Sequence, residues 1–164
     1  MNFFFWDTSA LAKRYIPELG TSSVNYLIET IPKNRMFMLI LSLGEILSVL
    51  VRKRNSKQIS DRFYSQSLAE FNKELLRDKV ISIQSVYDKL IQESLKLIEQ
   101  YSLNATDAII LECALGINGE LRVKGDDLVL VTTDIRLSNA AKSSELKVWN
   151  PERDSQSDLE SFNL

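Results

Sequence analysis

Four acidic residues lie on separate segments of the chain, each beside or within an apolar stretch. They are Asp7, Glu45, Asp107 and Asp134. Like charges brought close together repel and raise one another's pKa, so a cluster of these acids is tolerable when a cation neutralises it. An all-oxygen ligand set selects hard ions, which here means Mg²⁺ or Mn²⁺. The chemistry that such ions support is phosphodiester hydrolysis by metal-activated water.

Each acid also has an ordinary structural explanation. Asp7 and Asp134 stand at the starts of predicted helices, where Asp is among the best N-caps. Asp107 lies in a first helical turn, where the helix dipole stabilises an acid, and Asn104 is an alternative cap there. Glu45 lies off the centre of its helix's apolar stripe, which is typical of a solvated side chain. Asp107 is the hardest to explain this way, because its helix is nearly all apolar and a buried carboxylate needs a partner.

The composition excludes most other catalytic chemistry. The chain has no histidine, so a Ser-His-Asp triad, a Cys-His pair and a histidine-bound zinc are all excluded. The single cysteine, Cys113, can form neither an internal disulfide nor a thiolate cluster, which favours a reducing compartment. Neither glycine-rich nucleotide-binding motif occurs, which argues against a nucleotide-binding enzyme.

Size and charge are those of one ordinary globular domain. The chain has 164 residues, of which 45% are hydrophobic and 26% are charged. Its formal net charge of −2 argues against a surface coated in positive charge for duplex DNA. The apolar start lacks the features of a signal peptide, and the longest uncharged apolar run, residues 36–44, is too short to cross a bilayer. We therefore expect a cytoplasmic protein without a membrane segment.

Apolar runs alternate with amphipathic segments along the chain. The runs predict strands at residues 3–6, 36–40, 80–83, 128–131 and 146–149. The amphipathic segments predict helices at residues 10–15, 21–31, 42–55, 60–78, 85–101, 104–115 and 135–142. This alternation implies an α/β fold with a parallel sheet covered on both faces. Ligands bind outside the carboxyl ends of such strands, which is where Asp7 and Asp134 fall.

Three further expectations concern parts of the chain away from the acids. In the helix at 85–101 the predicted inward stripe is Leu90, Ile91, Leu95 and Ile98. Three glycines, Gly116, Gly119 and Gly125, predict a loop before the fourth strand. The polar composition of residues 152–164 predicts a flexible tail.

The segments that carry the acids resemble the motifs of PIN-domain proteins. They are Phe5-Trp6-Asp7-Thr8-Ser9-Ala10-Leu11, Ser42-Leu43-Gly44-Glu45-Ile46, Asn104-Ala105-Thr106-Asp107-Ala108, and Thr132-Thr133-Asp134-Ile135-Arg136-Leu137 followed by Ala140-Ala141 and Val148-Trp149-Asn150-Pro151. In this order and spacing they cover residues 1–151. The length and layout are similar to those of VapC-type toxins of prokaryotic toxin–antitoxin systems.

The resemblance implies a three-layer α/β/α sandwich with a mostly parallel five-stranded sheet, forming a PIN-like nuclease domain at residues 1–151. It implies a ribonuclease, dependent on Mg²⁺ or Mn²⁺, that acts on single-stranded or structured RNA. It also implies a homodimer and a small cognate antitoxin that blocks the site. The residues that it assigns to catalysis and to metal binding are Asp7, Glu45, Asp107 and Asp134, with Glu45 as a direct or water-mediated ligand. Glu112 departs from the family, which often has a small residue at that position.

Positive charge gathers at residues 52–62, which hold five basic residues and one acid. This stretch is either a solvated helix end, favoured by the helix dipole, or a rim that contacts phosphate. Other basic residues follow two of the acids closely enough to reach a phosphate near the metal. Together with two hydroxyl residues that the resemblance places beside the site, they form the predicted substrate-binding set: Ser9, Lys13, Arg14, Thr132 and Arg136.

Two other functions stay open. The first is a non-catalytic PIN-like module that binds RNA or protein, for which a chelator should not affect RNA binding and no cleavage should occur. The second is phosphotransfer, because an Asp after the first strand resembles the nucleophile of haloacid-dehalogenase-type phosphatases. Their motif has a second Asp two residues later, where this chain has Ser9.

Overall fold

Five parallel strands form the centre of the computed structural model, which describes residues 1–162. They are β1 (Asn2–Trp6), β2 (Met36–Leu39), β3 (Ser82–Gln84), β4 (Asp127–Val131) and β5 (Lys147–Trp149). Their order across the sheet is β3-β2-β1-β4-β5, and every neighbouring pair is parallel. The first strand in sequence is therefore the central one.

Helices cover both faces of this sheet. They are α1 (Thr8–Leu11), α2 (Thr21–Thr30), α3 (Leu41–Asn55), α4 (Asp61–Phe71), α5 (Asp88–Tyr101), α6 (Ala105–Arg122), α7 (Ile135–Ser143) and α8 (Gln156–Glu160). Shorter 3₁₀ turns occupy Ala12–Arg14 and Lys33–Arg35, and a π-helical segment, Asn72–Arg77, continues α4. One core packs α1 to α4 and α8 on the sheet, and a second packs α5 to α7 on the opposite face. The predicted three-layer α/β/α fold is confirmed.

The central strand shows why its sequence is apolar without interruption. Phe4 and Trp6 point into the first core and Phe5 into the second, and all three side chains are fully buried. Successive side chains of a strand point to opposite faces, so a strand covered on both sides needs apolar residues at every position. This buried strand ends at Trp6, and Asp7 follows it directly.

Helix α6 continues where a loop was predicted. It passes through Gly116 and Gly119, both exposed, while Asn118 and Leu121 face inward. Each glycine costs about 1 kcal/mol relative to alanine within a helix, which the buried face of α6 outweighs. The chain turns at Gly125, whose φ of +79° lies in the left-handed region that glycine adopts readily.

Helix α5 also differs from the prediction. Its buried residues are Leu90, Ser94 and Leu97, whereas Ile91 and Leu95 are 41% and 54% exposed. The observed stripe is rotated by about one residue, which is about 100° around the helix axis. The small Ser94, whose hydroxyl donates to the carbonyl of Ile91, allows close packing on the side that faces the core.

The described part of the polar C-terminal segment contains a short helix. Helix α8 begins with a capping box, in which Ser155 and Asp158 bond each other's backbone N–H groups. Leu159 is fully buried in the first core, and the carbonyl of Phe162 accepts a hydrogen bond from Asn2. One buried leucine and a good cap thus order a polar sequence. Residues 163 and 164 of the predicted tail lie outside the described residues.

Within residues 1–162, no helix has both the length and the apolar character required to cross a lipid bilayer.

Candidate active site

All four candidate acids line one cavity of about 440 Å³ at the carboxyl ends of the central strands. Asp7 follows β1, Asp134 follows β4, and Glu45 lies on α3, which begins after β2. Because β2 and β4 flank β1 in the sheet, these three chain exits are side by side. The first turn of α6 brings Asp107 to the same cavity.

Two hydroxyl groups fix the carboxylate of Asp7. Its Oδ2 accepts hydrogen bonds from Ser9 Oγ at 2.5 Å and from Thr132 Oγ1 at 2.8 Å. Burial raises the pKa of Asp7, while the hydrogen bonds from Ser9 and Thr132 act in the opposite direction by favouring the charged form. Only 4% of Asp7 is exposed, so these bonds leave its side chain little freedom to turn.

The same two hydroxyls hold the segment that follows β4. Ser9 Oγ accepts from the backbone N–H of Thr133 at 3.0 Å, and Thr132 Oγ1 accepts from that of Asp134 at 3.0 Å. The two residues predicted to lie beside the site therefore link its two strand ends. Both hydroxyl groups donate their hydrogens to Asp7. In this arrangement Ser9 and Thr132 therefore position that acid.

Asp134 combines a structural function with a place in the cavity. Its Oδ1 accepts from the backbone N–H of Leu137 at 2.9 Å and so caps α7. Its Oδ2 has no hydrogen-bond partner among residues 1–162. Asp134 can therefore cap α7 through Oδ1 while Oδ2 remains available in the cavity.

Asn104, rather than Asp107, caps helix α6. Its Oδ1 accepts from the backbone N–H of Asp107 at 2.8 Å, and its Nδ2 donates to Asp107 Oδ2 at 2.7 Å. This reciprocal pair fixes the side chain of Asp107 at the mouth of the cavity. Glu45 is held in a comparable way, because Thr8 Oγ1 donates to its Oε2 at 2.5 Å.

The electrostatics of the cavity show how strongly the acids interact. Partial burial, together with the negative charges of Asp7, Asp134 and Glu45, raises the pKa of Asp107 to about 7. The positive charge of Arg136 opposes this rise. Within the described part of the chain, none of the four acids forms an ion pair with lysine or arginine. Their mutual repulsion is therefore only partly compensated by the protein itself.

The donor set is of the kind that a hard divalent cation requires. Carboxylate oxygens are the ligands that Mg²⁺ and Mn²⁺ prefer, and a cation would relieve the repulsion that raises the pKa of Asp107. Across residues 1–162, no three Asp, Glu or Cys side chains are close enough together to form a ready ligand group. Because Mg²⁺ keeps several waters and takes only one or two carboxylates from a protein, the cavity fits a cation with few direct protein ligands.

Lys13, Arg14 and Arg136 are the three basic residues predicted to contact a phosphate, and the structure places them in different surroundings. Lys13 is buried and pairs with Glu152 at 2.5 Å and with Glu18 at 3.4 Å. Arg14 forms ion pairs with two further glutamates, at 2.8 Å and 3.0 Å. Neither lines the cavity of the acids, and a phosphate would have to displace these carboxylates. Arg136 is exposed at the start of α7 and has no ion-pair partner among residues 1–162.

The cavity also contains residues outside the predicted site set. Ser48, Val49 and Arg52 line it from α3, on the same face as Glu45, and Arg52 is the first residue of the predicted basic stretch. They follow Glu45 by three, four and seven residues, and positions at these spacings share one helix face. For Thr8, whose hydroxyl orients Glu45, the sequence offered one indication, which is its position directly after Asp7.

Glu112, the departure from the family pattern, lies on α6 away from this cavity. Lys96 of α5 pairs with its Oε1 at 3.3 Å, which supplies the partner that an acid on an apolar helix needs. Its Oε2 is buried without a hydrogen bond among the described residues. The pair therefore links α5 to α6 on the outer layer and does not contribute to the acidic cavity.

Comparisons with known proteins identify the family and the fold. The family model of the PIN domain matches residues 4–143. The curated proteins gave no match. Among solved structures, the chain is similar to PAE2754 from Pyrobaculum aerophilum, with 18% identity, coverage of 92% of this chain and 90% of that chain, and a TM-score of 0.58.

Two further structures share the fold. VapC20 from Mycobacterium tuberculosis, described as a toxin that cleaves the sarcin-ricin loop, has 18% identity, coverage of 84% and 94%, and a TM-score of 0.57. FitAB bound to a DNA fragment has 10% identity, coverage of 93% and 98%, and a TM-score of 0.67. At these identities the likeness shows a common fold.

The family match covers the positions of all four acids, from Asp7 to Asp134. The predicted resemblance to PIN-domain proteins is thereby confirmed. This chain belongs to the PIN domain family.

Proposed function

We propose that this protein is a divalent-cation-dependent endoribonuclease and the toxin of a toxin–antitoxin pair. The observation that carries the proposal is the convergence of four carboxylates, from four separate segments, on one cavity, with no lysine or arginine of residues 1–162 paired to them. An arrangement of this kind is unfavourable for the folded protein by itself, because like charges repel. Its use is to hold a cation against a phosphodiester.

Asp7, Glu45, Asp107 and Asp134 are the residues that would hold Mg²⁺ or Mn²⁺, one or two of them directly and the others through its water molecules. When bound, the cation supplies Lewis-acid stabilisation of the phosphodiester and activation of water. Ser9 and Thr132 keep Asp7 in one orientation, Thr8 does the same for Glu45, and Asn104 for Asp107. Side chains fixed in this way need little reorganisation when the substrate binds, which lowers the barrier of the reaction.

Asp107 is expected to carry a proton in part of the cation-free molecules near neutral pH. With a pKa of about 7, its carboxyl group is about half protonated near neutral pH. Loss of that proton is expected on cation binding, because a nearby positive charge favours the charged form. The scissile phosphate is proposed to lie at the mouth of the cavity, where exposed Arg136 can contact a neighbouring phosphate.

The direct test is cleavage of a single-stranded RNA by the wild type and by Asp7→Asn, each with Mg²⁺, Mn²⁺ or a chelator. We expect cation-dependent cleavage by the wild type and a loss of at least about 100-fold in Asp7→Asn. Asp88→Asn is the matched control, since Asp88 is exposed on α5 and does not line the cavity. Circular dichroism and thermal unfolding check that both variants fold.

Two results would contradict the proposal. Unchanged cleavage by folded Asp7→Asn would remove these acids from the chemistry. RNA binding that a chelator leaves unaffected, without cleavage by the wild type at any cation concentration, would favour the non-catalytic RNA-binding module.

The toxin function is supported by the description of VapC20 as a toxin, which concerns a protein with the same fold. Its test is expression of the chain in a bacterial host. We expect growth arrest with the wild type and normal growth with Asp7→Asn at equal protein levels. Where a small protein is encoded in the adjacent reading frame, rescue by its co-expression would support a cognate antitoxin. Growth unaffected by the wild type would contradict the toxin function.

A homodimer in the cytoplasm completes the proposal. Support comes from neighbouring apolar side chains exposed on and before α5, namely Tyr87, Ile91 and Leu95, because such groups often mark protein interfaces. Light scattering at micromolar concentration gives the mass directly. A monomer at all concentrations would contradict the dimer without affecting the cleavage chemistry.

A further inference from the structure

The basic stretch at residues 52–62 contains one cation that faces the acidic cavity. Arg52 lies on α3 seven residues after Glu45, and both line the cavity together with Ser48 and Val49. At a helical rise of 1.5 Å per residue, Arg52 is about 10 Å along α3 from Glu45. Arg52 therefore lines the same cavity as the acids, about two helical turns away from Glu45.

The neighbouring basic groups already have partners within the protein. Lys53 forms an ion pair with Glu18 at 2.5 Å. The guanidinium of Arg54 lies over the ring of Tyr64, 4.4 Å from its centroid. Arg52, by contrast, is exposed, and its side chain forms no ion pair or hydrogen bond with residues 1–162. It is therefore available to an anion from outside the protein.

A second hollow, of about 560 Å³, continues from the acidic cavity past Arg52. The two hollows share Val49 and Arg52, and the second extends to Asn55, Ser56 and Gln58 at the end of α3. The side-chain amides of Asn55 and Gln58 can donate hydrogen bonds to phosphate and sugar oxygens, whereas the hydroxyl of Ser56 donates to the carbonyl of Lys53. The surface thus forms one continuous path from the acids to the connection between α3 and α4, with Arg52 between its two parts.

We propose that Arg52 binds a backbone phosphate of the RNA next to the scissile one and directs the strand along α3 towards Gln58. This inference rests on the proposed ribonuclease function. An acid-lined cavity repels a polyanion, and a cation at its rim offsets that repulsion for the neighbouring phosphate. The planar guanidinium of arginine suits this task, because it can donate two parallel hydrogen bonds to one phosphate.

The test measures binding separately from cleavage. A labelled single-stranded RNA oligonucleotide is titrated into Asp7→Asn protein in the presence of a chelator, at salt concentrations from about 50 to 200 mM. Adding Arg52→Gln to the Asp7→Asn protein is expected to weaken RNA binding about tenfold. It should also reduce the slope of the logarithm of the binding constant against the logarithm of the salt concentration by about 0.7, which corresponds to the loss of one phosphate contact. Arg52→Lys should retain the slope and lose part of the affinity.

Arg62→Gln is the matched control, because Arg62 is an exposed arginine of the same basic stretch that lines neither hollow. It should change the affinity less than twofold. In the otherwise wild-type protein, Arg52→Gln should raise KM about tenfold and leave kcat within about twofold, as expected for a contact made equally in the ground state and the transition state.

The outcomes separate this inference from the function on which it rests. If Arg52→Gln and Arg62→Gln have the same affinity and the same salt slope, Arg52 is not a phosphate contact. If Arg52→Gln alone weakens binding but the wild-type protein never cleaves, the ribonuclease function fails and the Arg52 contact stands. An Asp7→Asn parent that binds no RNA overturns both.

Discussion

Thr132 donates a hydrogen bond to Asp7 over 2.8 Å, and the two residues are 125 positions apart in the sequence. The same hydroxyl oxygen accepts the backbone N–H of Asp134 at 3.0 Å. One fully buried side chain thus connects an acid that follows β1 to an acid that follows β4. The relative position of these two acids depends on a residue that does not line the cavity itself.

Replacing Thr132 with valine keeps the shape and removes both hydrogen bonds. We expect Thr132→Val to lower the cleavage rate about 10- to 100-fold, the usual effect of losing a group that orients a ligand. The free energy of unfolding should fall by about 1–3 kcal/mol, because the backbone N–H of Asp134 loses its acceptor. Steady-state kinetics and chemical denaturation measure the two effects. Thr132→Ser should restore most of the rate, and wild-type kinetics in the valine variant would contradict the positioning function.

Asp107 should make the cation-free protein less stable as the pH rises. Its pKa is about 7 in the folded protein and 3.8 as the ordinary value, so between these pH values the folded state holds a proton that the unfolded state has lost. The free energy of unfolding therefore decreases as the pH rises from 4 to 7 and changes little above that range. Since Asp107 is only partly buried, we discount the effect for solvent screening and expect about 1 kcal/mol.

The measurement for Asp107 is denaturant unfolding in a chelator at pH 5 and pH 8. Asp107→Asn should have a smaller difference between the two pH values than the wild type, and it should be the more stable protein at pH 8. Asp88→Asn serves as the control, and its difference should equal that of the wild type. If the free energy of unfolding changed equally between pH 5 and pH 8 in all three proteins, Asp107 would not be the cause of the pH dependence.

A divalent cation should stabilise the folded protein even when no RNA is present. Binding to the folded state alone adds RT ln(1 + [L]/Kd), which is about 2.7 kcal/mol at a concentration of 100 times Kd. We expect Mn²⁺ to raise the unfolding temperature of the wild type and to have a smaller effect on Asp7→Asn and Asp134→Asn. Because this readout requires no catalysis, it tests the cation site separately. Equal shifts in wild type and variants would place any bound cation elsewhere.

The C-terminal segment should contribute to the stability of the fold. Leu159 is fully buried in the core that covers the sheet on the side of α1 to α4. We expect Leu159→Ala to lower the free energy of unfolding by about 2–5 kcal/mol, the range for a large buried aliphatic side chain. Chemical denaturation tests this, with Val123→Ala as the control because Val123 is 89% exposed. A change below about 0.5 kcal/mol would mean that α8 is not docked in solution.

Asp7 and Asp134 could be located from the sequence because two local signals coincide at each of them. Asp7 and Asp134 follow apolar strands, and the carboxyl ends of parallel strands lie at one edge of a sheet. Their hydroxyl partners, Ser9 and Thr132, lie within two residues of them in sequence. Geometry of this kind is set by the backbone of a short segment, which the order of residues specifies well.

The basic residues were harder to place, because their partners lie far away in the sequence. Lys13 meets Glu152 and Arg14 meets Glu74 only once the tertiary structure has formed. No local pattern distinguishes an arginine that pairs with a remote glutamate from one that faces solvent, such as Arg52. The continuation of α6 through Gly116 and the packing of Leu159 in the core also depend on residues far away in the sequence. Burial against those residues outweighs a weak local preference.

The long sequence separation between Asp7 and Thr132 has a consequence for synthesis of the protein. Asp7 leaves the ribosome long before strand β4 and the hydroxyl that orients Asp7, because Thr132 follows it by 125 positions. A nascent or prematurely terminated chain that stops before β4 lacks the strand that pairs with β1, the hydroxyl of Thr132 and the fourth acid, Asp134. The producing cell is therefore exposed to a complete site only after synthesis has passed Asp134.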